Sequence, residues 1–146
     1  MINIKQINEK DIDLCYELDL ETISLWSKKQ WDSELKKKGI KVFGLSHTNV
    51  VIGIYVLEVV LDEAQINYFA VNNKFRNKGF GSQLMRHLIK LCETINVNKL
   101  FLEVSKSNTT AEKFYRRFDF FTVGIRRNYY KDGSDALLKE KTLTSK

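Results

Sequence analysis

Two glycines and two basic residues lie close together in the segment 71–82, Val-Asn-Asn-Lys-Phe-Arg-Asn-Lys-Gly-Phe-Gly-Ser. An apolar stretch precedes the segment and a helical pattern follows it. The first N–H groups of a helix lack partners within the helix and lie at the positive end of its dipole, where they bind anions. Gly79 and Gly81 permit close approach because they lack Cβ atoms, and Arg76 and Lys78 add positive charge. The pattern predicts a site for a ligand that carries several phosphates.

Three known phosphate-binding patterns can be compared with this segment. A P-loop requires a glycine, four residues and then Gly-Lys-Ser/Thr, which this chain lacks. A dinucleotide fingerprint requires a third glycine where the chain has Leu84, although Glu103 lies near the spacing of a ribose ligand. The third pattern, Arg/Gln-x-x-Gly-x-Gly/Ala, is matched by Arg76, Gly79 and Gly81. A structural turn without a ligand stays open as an alternative for so short a pattern.

Length and composition predict one domain, residues 1–146, with a single core, because 43% of the 146 residues are hydrophobic. The apolar stretches are too short for a membrane span, and the amino end lacks a signal-peptide pattern. We therefore expect a cytoplasmic protein that does not bind membranes. Cys15 and Cys92 lack Cys-x-x-Cys spacing and are predicted to be buried thiols, so we expect neither a metal nor a disulfide.

The net charge of +6 raises the alternative of an RNA partner. The lysines are spread along the chain, however, and no aromatic platform of the RNA-binding kind accompanies them. A solvated basic surface explains this pattern better than a specific nucleic-acid site.

The apolar periodicity alternates between strand and helix patterns. The predicted elements are a strand from Ile2 to Ile7, helices after Asn8 and Ser27, an antiparallel meander of strands at 42–45, 50–61 and 65–71, a helix at 80–95, a strand at 100–104, a helix at 109–118, and strands at 120–127 and 136–143. The right-handed crossover rule makes the strand at 100–104 parallel to that at 65–71. The predicted class is α/β, a mixed, mostly antiparallel sheet with a parallel central strand pair, flanked by helices.

Polar residues predict how several of these helices begin. Capping patterns are expected at Asn8 with Asp11, at Ser27 with Gln30 and at Thr109 with Glu112. In the first helix, the spacing of Ile12, Tyr16 and Leu20 predicts that they lie on one face.

The order of elements and the pattern around the glycines resemble the GNAT family of N-acetyltransferases. The likeness is close at Leu102 to Asn108, which is followed by Ala111 and Tyr115, and again at Ile125 to Tyr130. It extends from about Leu57 to Leu143. Within the family it is closest to enzymes that acetylate the amino-terminal alanine of a small-subunit ribosomal protein.

The resemblance implies direct transfer of acetyl from acetyl-CoA to an amine. Glu103 matches the family's general base and Tyr115 its general acid. On the residues alone, Glu103 could instead lie on the solvent face of an edge strand, and Tyr115 could be an ordinary core aromatic.

The resemblance also implies contacts to acetyl-CoA. Backbone groups of Phe69, Ala70 and Val71 are expected at the acetyl and pantetheine portion, and Asn108 at the pantetheine arm. The residues expected around the pyrophosphate are Arg76, Asn77, Lys78, Gly79, Phe80, Gly81 and Ser82.

The acceptor is expected to be the amino-terminal peptide of a ribosomal protein, bound by a monomer. Tyr129-Tyr130 and the loop at Leu25-Trp26 are expected to shape its groove. The candidate acidic groups that face a basic peptide are Asp19, Glu21 and Glu63.

One residue departs from the family pattern: the helix that carries Tyr115 is usually followed by Gly-Phe, and this chain has Asp119-Phe120. Asp119 must then take the left-handed conformation itself, or the chain must avoid it. Three functional alternatives remain: a family member that acts on another protein terminus, a lysine or a small amine; a non-catalytic coenzyme A-binding module; and an RNA-binding domain.

Overall fold

The computed structural model describes residues 2–143 and builds them around a seven-stranded sheet. The strands are β1 (Ile2–Gln6), β2 (Ile40–His47), β3 (Val50–Val60), β4 (Glu63–Val71), β5 (Lys99–Ser105), β6 (Phe121–Arg126) and β7 (Ala136–Thr142). The helices are α1 (Ile12–Glu21), α2 (Lys28–Leu35), α3 (Phe80–Thr94) and α4 (Thr109–Arg117), with short 3-10 turns at Glu9–Asp11 and Asn73–Phe75. No helix within the described range is long and apolar enough to cross a membrane.

The sheet has the strand order β1-β2-β3-β4-β5-β7-β6. Strands β4 and β5 are parallel, and the other neighbouring strands are antiparallel. This arrangement confirms the predicted mixed sheet, including the parallel pair that the right-handed crossover through α3 requires.

Two of the predicted helix starts are confirmed. Asn8 and Asp11 form a capping box at the 3-10 turn that leads into α1. Ser27 and Gln30 form another at the start of α2, where the Ser27 hydroxyl accepts from the Gln30 N–H at 3.1 Å.

Helix α4 begins differently from the prediction. Its N-cap is Asn108, whose Oδ1 accepts from the Ala111 N–H at 3.1 Å. The predicted capping box of Thr109 and Glu112 is wrong, because the Glu112 carboxylate instead binds the Nζ of Lys139 on β7. Glu112 therefore forms an ion pair with a distant strand and does not take part in the local cap that the sequence pattern predicted.

The single core expected from composition is divided in two by the sheet, because one face packs against α3 and α4 and the other against α1 and α2. Cys92 lies in the first core and Cys15 in the second, as predicted, and burial raises the pKa of each thiol to about 12. Of the three residues predicted to share one face of α1, Ile12 and Tyr16 pack against the second core, whereas Leu20 is 52% exposed. The buried position one residue earlier is taken by Asp19.

Strand β4 separates from β5 halfway along its length. The two strands pair only from Glu63 opposite Lys99 to Gln65 opposite Phe101. Immediately afterwards β4 carries a bulge against β3, in which Asn67 is the extra residue. A bulge bends its strand and increases the local twist. The later part of β4 therefore diverges from β5, and we call the space between residues 66–71 and 102–105 the cleft.

Candidate active site

The backbone of β4 presents unpaired groups to the cleft. The Asn72 N–H donates to the Ile52 carbonyl at 2.7 Å, and Val71 lies opposite Gly53. This register makes Val71 a non-hydrogen-bonded position in the ladder, so its N–H and C=O point away from β3. Phe69, two residues earlier, has the same orientation. Both backbones therefore face the side from which β5 has diverged.

Ala70 lies between these two residues and differs from them. It is opposite Ile54, at the alternate, hydrogen-bonded type of position, so its N–H and C=O point toward β3. Of the three residues expected to offer backbone groups to a ligand, Phe69 and Val71 direct theirs into the cleft and Ala70 does not.

The glycine-containing loop leads from β4 into α3. Asn77 and Gly79 both have left-handed backbones, with φ of 62° and 81°. Gly79 is the N-cap of α3 and provides no capping side chain, and its carbonyl accepts from the Gln83 N–H at 3.1 Å. A Cβ at Gly79 would meet no atom within 4 Å, so the conformation rather than crowding calls for glycine there. The N–H groups of Phe80, Gly81 and Ser82 follow in the first turn.

Aromatic packing connects this loop with α4. A Cβ added at Gly81 would lie 3.5 Å from the ring of Phe114 on α4. The Phe114 ring also packs against Phe69 of β4, with 5.6 Å between centroids, and against Tyr115, at 5.4 Å. The loop, the end of β4 and the Tyr115 helix thus adjoin one another.

Glu103 lies on a central strand, because β5 has β4 on one side and β7 on the other. The edge-strand alternative is therefore wrong. Its Oε2 is buried and has no hydrogen-bond partner among residues 2–143. The nearest cationic group is the guanidinium of Arg126, whose Nε lies 3.5 Å away without hydrogen-bond geometry. The pKa of Tyr130 is raised, mainly by burial and to a lesser extent by the negative charge of Glu103. A buried carboxylate oxygen without a donor is costly and is poised to accept a proton or a cationic N–H group.

Tyr115 is half-buried on α4, and its ring packs against Phe69 and Phe120 at centroid distances of 6.3 and 5.8 Å. Its hydroxyl makes no hydrogen bond to another residue in the described range 2–143. Burial raises the pKa of this phenol above its ordinary value of 10.0. The hydroxyl therefore stays protonated at neutral pH and can act as a donor.

Asn108 has a structural role besides the expected ligand contact. Its Oδ1 is taken by the cap of α4, and its backbone N–H donates to the Ser105 carbonyl at 3.0 Å. The Nδ2 amide group makes no hydrogen bond with the other described residues, so it is the part of the side chain that a ligand could use.

The β6–β7 loop is tied to the end of β5. The Ser105 hydroxyl lies 2.8 Å from that of Ser134, and the Lys106 N–H donates to the Asp135 carbonyl at 2.9 Å. These bonds place Tyr130 near Glu103, while Tyr129 stays 52% exposed. Both tyrosines expected at the acceptor groove therefore lie on a loop that adjoins the carboxylate.

The three acidic residues expected to face a basic peptide have different environments. The expectation that Asp19 faces a peptide is wrong, because its side chain is fully buried and accepts hydrogen bonds from donors within the protein. Glu63 is exposed but begins β4, at the end opposite to Val71. Glu21 is exposed near the cleft end of β4, where it accepts from the Asn72 amide at 2.9 Å.

Two features of the site were not predicted from the sequence. Arg126 was assigned no role, although it is the cation next to Glu103. Asn67 forms the bulge, and its amide donates to Glu34 at 2.6 Å and to Glu58 at 2.8 Å. Asparagine is disfavoured within strands, so its presence in the apolar run of β4 was the available indication of an irregularity.

A groove of about 300 Å³ lies beside this bulge. Its lining residues are Trp26, Lys29, Gln30, Ser33 and Glu34. It is bounded by the start of α2 and by the loop that was expected to shape the acceptor groove. Among the residues that the structure describes, no cluster of His, Cys, Asp and Glu could hold a metal ion.

Comparison with known families agrees with this geometry. The sequence model of the acetyltransferase (GNAT) family matches residues 8–120. The chain belongs to this family of acyltransferases, whose members use acetyl-CoA.

Individual relatives with similar sequences show which members of the family this chain resembles. The [ribosomal protein bS18]-alanine N-acetyltransferase of Haemophilus ducreyi is 32% identical over 136 residues, covering 90% of this chain and 92% of the relative. The enzyme of the same name from Escherichia coli K12, called RimI, is 31% identical over 131 residues, covering 89% and 88%. These matches confirm the predicted resemblance to enzymes of this kind.

Solved structures of GNAT acetyltransferases have the same fold as this chain. The crystal structure of the Escherichia coli ribosomal-protein-S18-alanine N-acetyltransferase superposes with a TM-score of 0.93 at 30% identity and covers 100% of this chain and 96% of its own. A GNAT acetyltransferase from Elizabethkingia anophelis with acetyl-CoA bound gives a TM-score of 0.80 at 25% identity and covers 97% and 98%.

Proposed function

We propose that this chain, acting as a single domain, transfers the acetyl group of acetyl-CoA to the amino-terminal alanine of ribosomal protein bS18. The acceptor is supported by the names of relatives that match nearly the whole chain. The chemistry rests on one observation: the Glu103 Oε2 is buried beside the cleft without a hydrogen-bond donor. That oxygen is the group to which we assign the acceptor's proton.

The role of Glu103 is to remove a proton from the acceptor ammonium, directly or through a water molecule. Attack on a thioester requires a free lone pair on nitrogen. At pH 7, deprotonation costs about 1 kcal/mol for an α-amine and roughly 4.6 kcal/mol for a lysine. A terminal amine is therefore the less demanding acceptor for a carboxylate base.

The loop before α3 fits the anionic part of acetyl-CoA. The left-handed Gly79 leaves open space around its backbone, and the first turn of α3 lacks a side-chain cap. Arg76 and Lys78 lie exposed beside it. We assign these groups and the N–H groups of residues 80–82 to the pyrophosphate. Acetyl-CoA supplies the activated acetyl group when bound.

Two further groups complete the proposed chemistry. The Val71 N–H faces the cleft and is available to an oxygen that gains negative charge during transfer. The Tyr115 hydroxyl holds its proton at neutral pH and is free to donate it to the departing thiolate.

A panel of acceptors tests this function. The purified protein is incubated with acetyl-CoA and, separately, with an alanine-starting bS18 peptide, an amino-blocked lysine-containing copy of that peptide and spermidine, and products are read by mass spectrometry. We expect acetyl only on the free alanine terminus. Transfer only to lysine or spermidine would refute the acceptor while keeping the acetyltransferase chemistry. Binding of acetyl-CoA without any transfer would favour a non-catalytic module.

A further inference from the structure

The carboxylate of Asp19 is fully buried and accepts four hydrogen bonds from three parts of the chain. Its Oδ1 accepts from the Leu25 N–H at 2.9 Å and from the Tyr68 hydroxyl at 3.0 Å. Its Oδ2 accepts from the Trp26 N–H at 2.9 Å and from the Trp31 indole N–H at 3.0 Å. Four donors match the lone-pair capacity of a carboxylate.

These bonds fix the segment 22–27, which we call the α1–α2 loop, against strand β4. The loop has little regular structure of its own between the end of α1 and the cap of α2. A further hydrogen bond joins the loop directly to β4, because the hydroxyls of Thr22 and Tyr68 lie 3.1 Å apart. The buried charge of Asp19 thus substitutes for the backbone pairing that the loop lacks.

The α1–α2 loop carries Trp26 to β4, the strand that forms one side of the cleft. The Trp26 ring packs against Tyr68 at 5.4 Å and against Trp31 at 4.7 Å, and it lines the groove beside the β4 bulge. Tyr68 is the residue immediately before Phe69, whose backbone faces the cleft. The position of Trp26 relative to the cleft therefore depends on the bonds to Asp19.

We propose that Asp19 is a positioning residue for the acceptor: it holds the α1–α2 loop and Trp26 as one wall of the groove that binds the acceptor's chain. This inference rests on the proposed function. It follows that Asp19 controls the binding of the acceptor, whereas the glycine-containing loop, on the other side of the cleft end of β4, controls that of acetyl-CoA.

The sharpest test removes one donor and keeps the fold. Tyr68→Phe deletes the hydroxyl that binds Asp19 and retains the ring. Tyr55→Phe is the matched control, because Tyr55 is equally buried on neighbouring β3 but its hydroxyl binds His87 on α3 at 2.9 Å. Tyr68→Phe removes the bonds of this hydroxyl to Asp19 and to Thr22, so the α1–α2 loop is held less firmly in the position that binds the acceptor. We expect the KM for the acceptor to rise at least about tenfold, the factor that corresponds to one lost hydrogen bond to a charged group. The KM for acetyl-CoA and kcat should stay close to those of Tyr55→Phe.

A second variant has a spectroscopic readout. The chain contains two tryptophans, and both are bound by Asp19, one through its backbone and one through its indole. Asp19→Asn places an amide N–H₂ against two of the four donors, so it should change the tryptophan emission and raise the acceptor KM further. Asp19→Glu keeps the charge and should restore part of the affinity if its longer side chain still reaches the loop.

The inference is overturned if Tyr68→Phe leaves the acceptor KM within about twofold of the control, or raises both Michaelis constants equally. Failure of the proposed function is a separate result, seen when the wild-type protein does not acetylate the alanine peptide. In that case the KM values of Tyr68→Phe and Tyr55→Phe are compared for the amine that the wild-type protein does acetylate. The same twofold limit then decides whether Asp19 positions the acceptor.

Discussion

At the scale of single residues, the protein surroundings favour opposite proton-transfer roles for Glu103 and Tyr115. The Glu103 Oε2 is buried without a donor, whereas the Tyr115 hydroxyl is held in its protonated form by burial. A group that can accept one proton and a group that can donate another therefore lie on two different elements, β5 and α4.

Replacing Glu103 by glutamine should lower kcat by about a hundredfold, the lower range for loss of a general base. The deficit should be greatest at low pH and shrink as the pH rises above about 7.8, where an α-amine loses its proton without help. Initial rates from pH 6 to pH 9 measure this. Glu63→Gln, an exposed change at the far end of β4, is the control. A deficit independent of pH would contradict the role of Glu103 as the base.

Replacing Tyr115 by phenylalanine removes the proposed proton donor and keeps the ring that packs against Phe69 and Phe120. We expect kcat to fall by about a hundredfold, with the Kd for acetyl-CoA nearly unchanged. Stopped-flow turnover and calorimetric binding separate the two quantities. If Tyr115→Phe retains full turnover, Tyr115 is only a core aromatic.

At the scale of elements, helix α4 is held to the sheet by a buried ion pair. Lys139 on β7 is 2% exposed and is bound by Glu112, which also pairs with Arg116. The hydrogen bond from Lys139 lowers the pKa of Glu112. A carboxyl group with a lowered pKa stabilises the folded state above its ordinary value of 4.5, and this contribution is lost as the pH falls through the lower, folded value.

The two partners of this pair should respond unequally to substitution. Glu112→Gln leaves a buried ammonium without a countercharge and should lower the free energy of unfolding by about 3 kcal/mol. Lys139→Met fills the same space and leaves Glu112 paired with Arg116, so we expect a loss of about 1 kcal/mol. Arg116→Gln, at an exposed position, is the control. Urea unfolding at pH 7 measures all three, and a larger loss for Lys139→Met than for Glu112→Gln would refute the asymmetry.

At the scale of the whole molecule, local chemistry explains what the sequence predicted. The caps at Asn8 and Ser27 and the glycine-containing turn depend on neighbours a few residues away, so they were predictable. Asp119 takes the left-handed conformation, with φ of 66°, in the position where the family has glycine. The sequence left open whether Asp119 would take this conformation or the chain would avoid it, and the structure shows the first of these.

Features that depend on distant partners were not predictable. Asp19 is buried because donors as far away as Tyr68 converge on it, and nothing within α1 indicates this. An asparagine in an apolar run indicates some irregularity in β4, but the bulge itself depends on pairing with β3, and the separation of β4 from β5 follows from it. Long-range pairing thus set the shape of the cleft, while local patterns set its components.

The central claim is that the chain acetylates an α-amine and not a lysine. Full-length bS18 provides the most direct test, because one molecule offers both kinds of amine to the purified protein and acetyl-CoA. Intact mass followed by peptide mapping locates the product. We predict one added acetyl group, on the amino-terminal alanine, and its loss with Glu103→Gln at low pH. Acetyl groups on lysine side chains with a free terminus would contradict the claim.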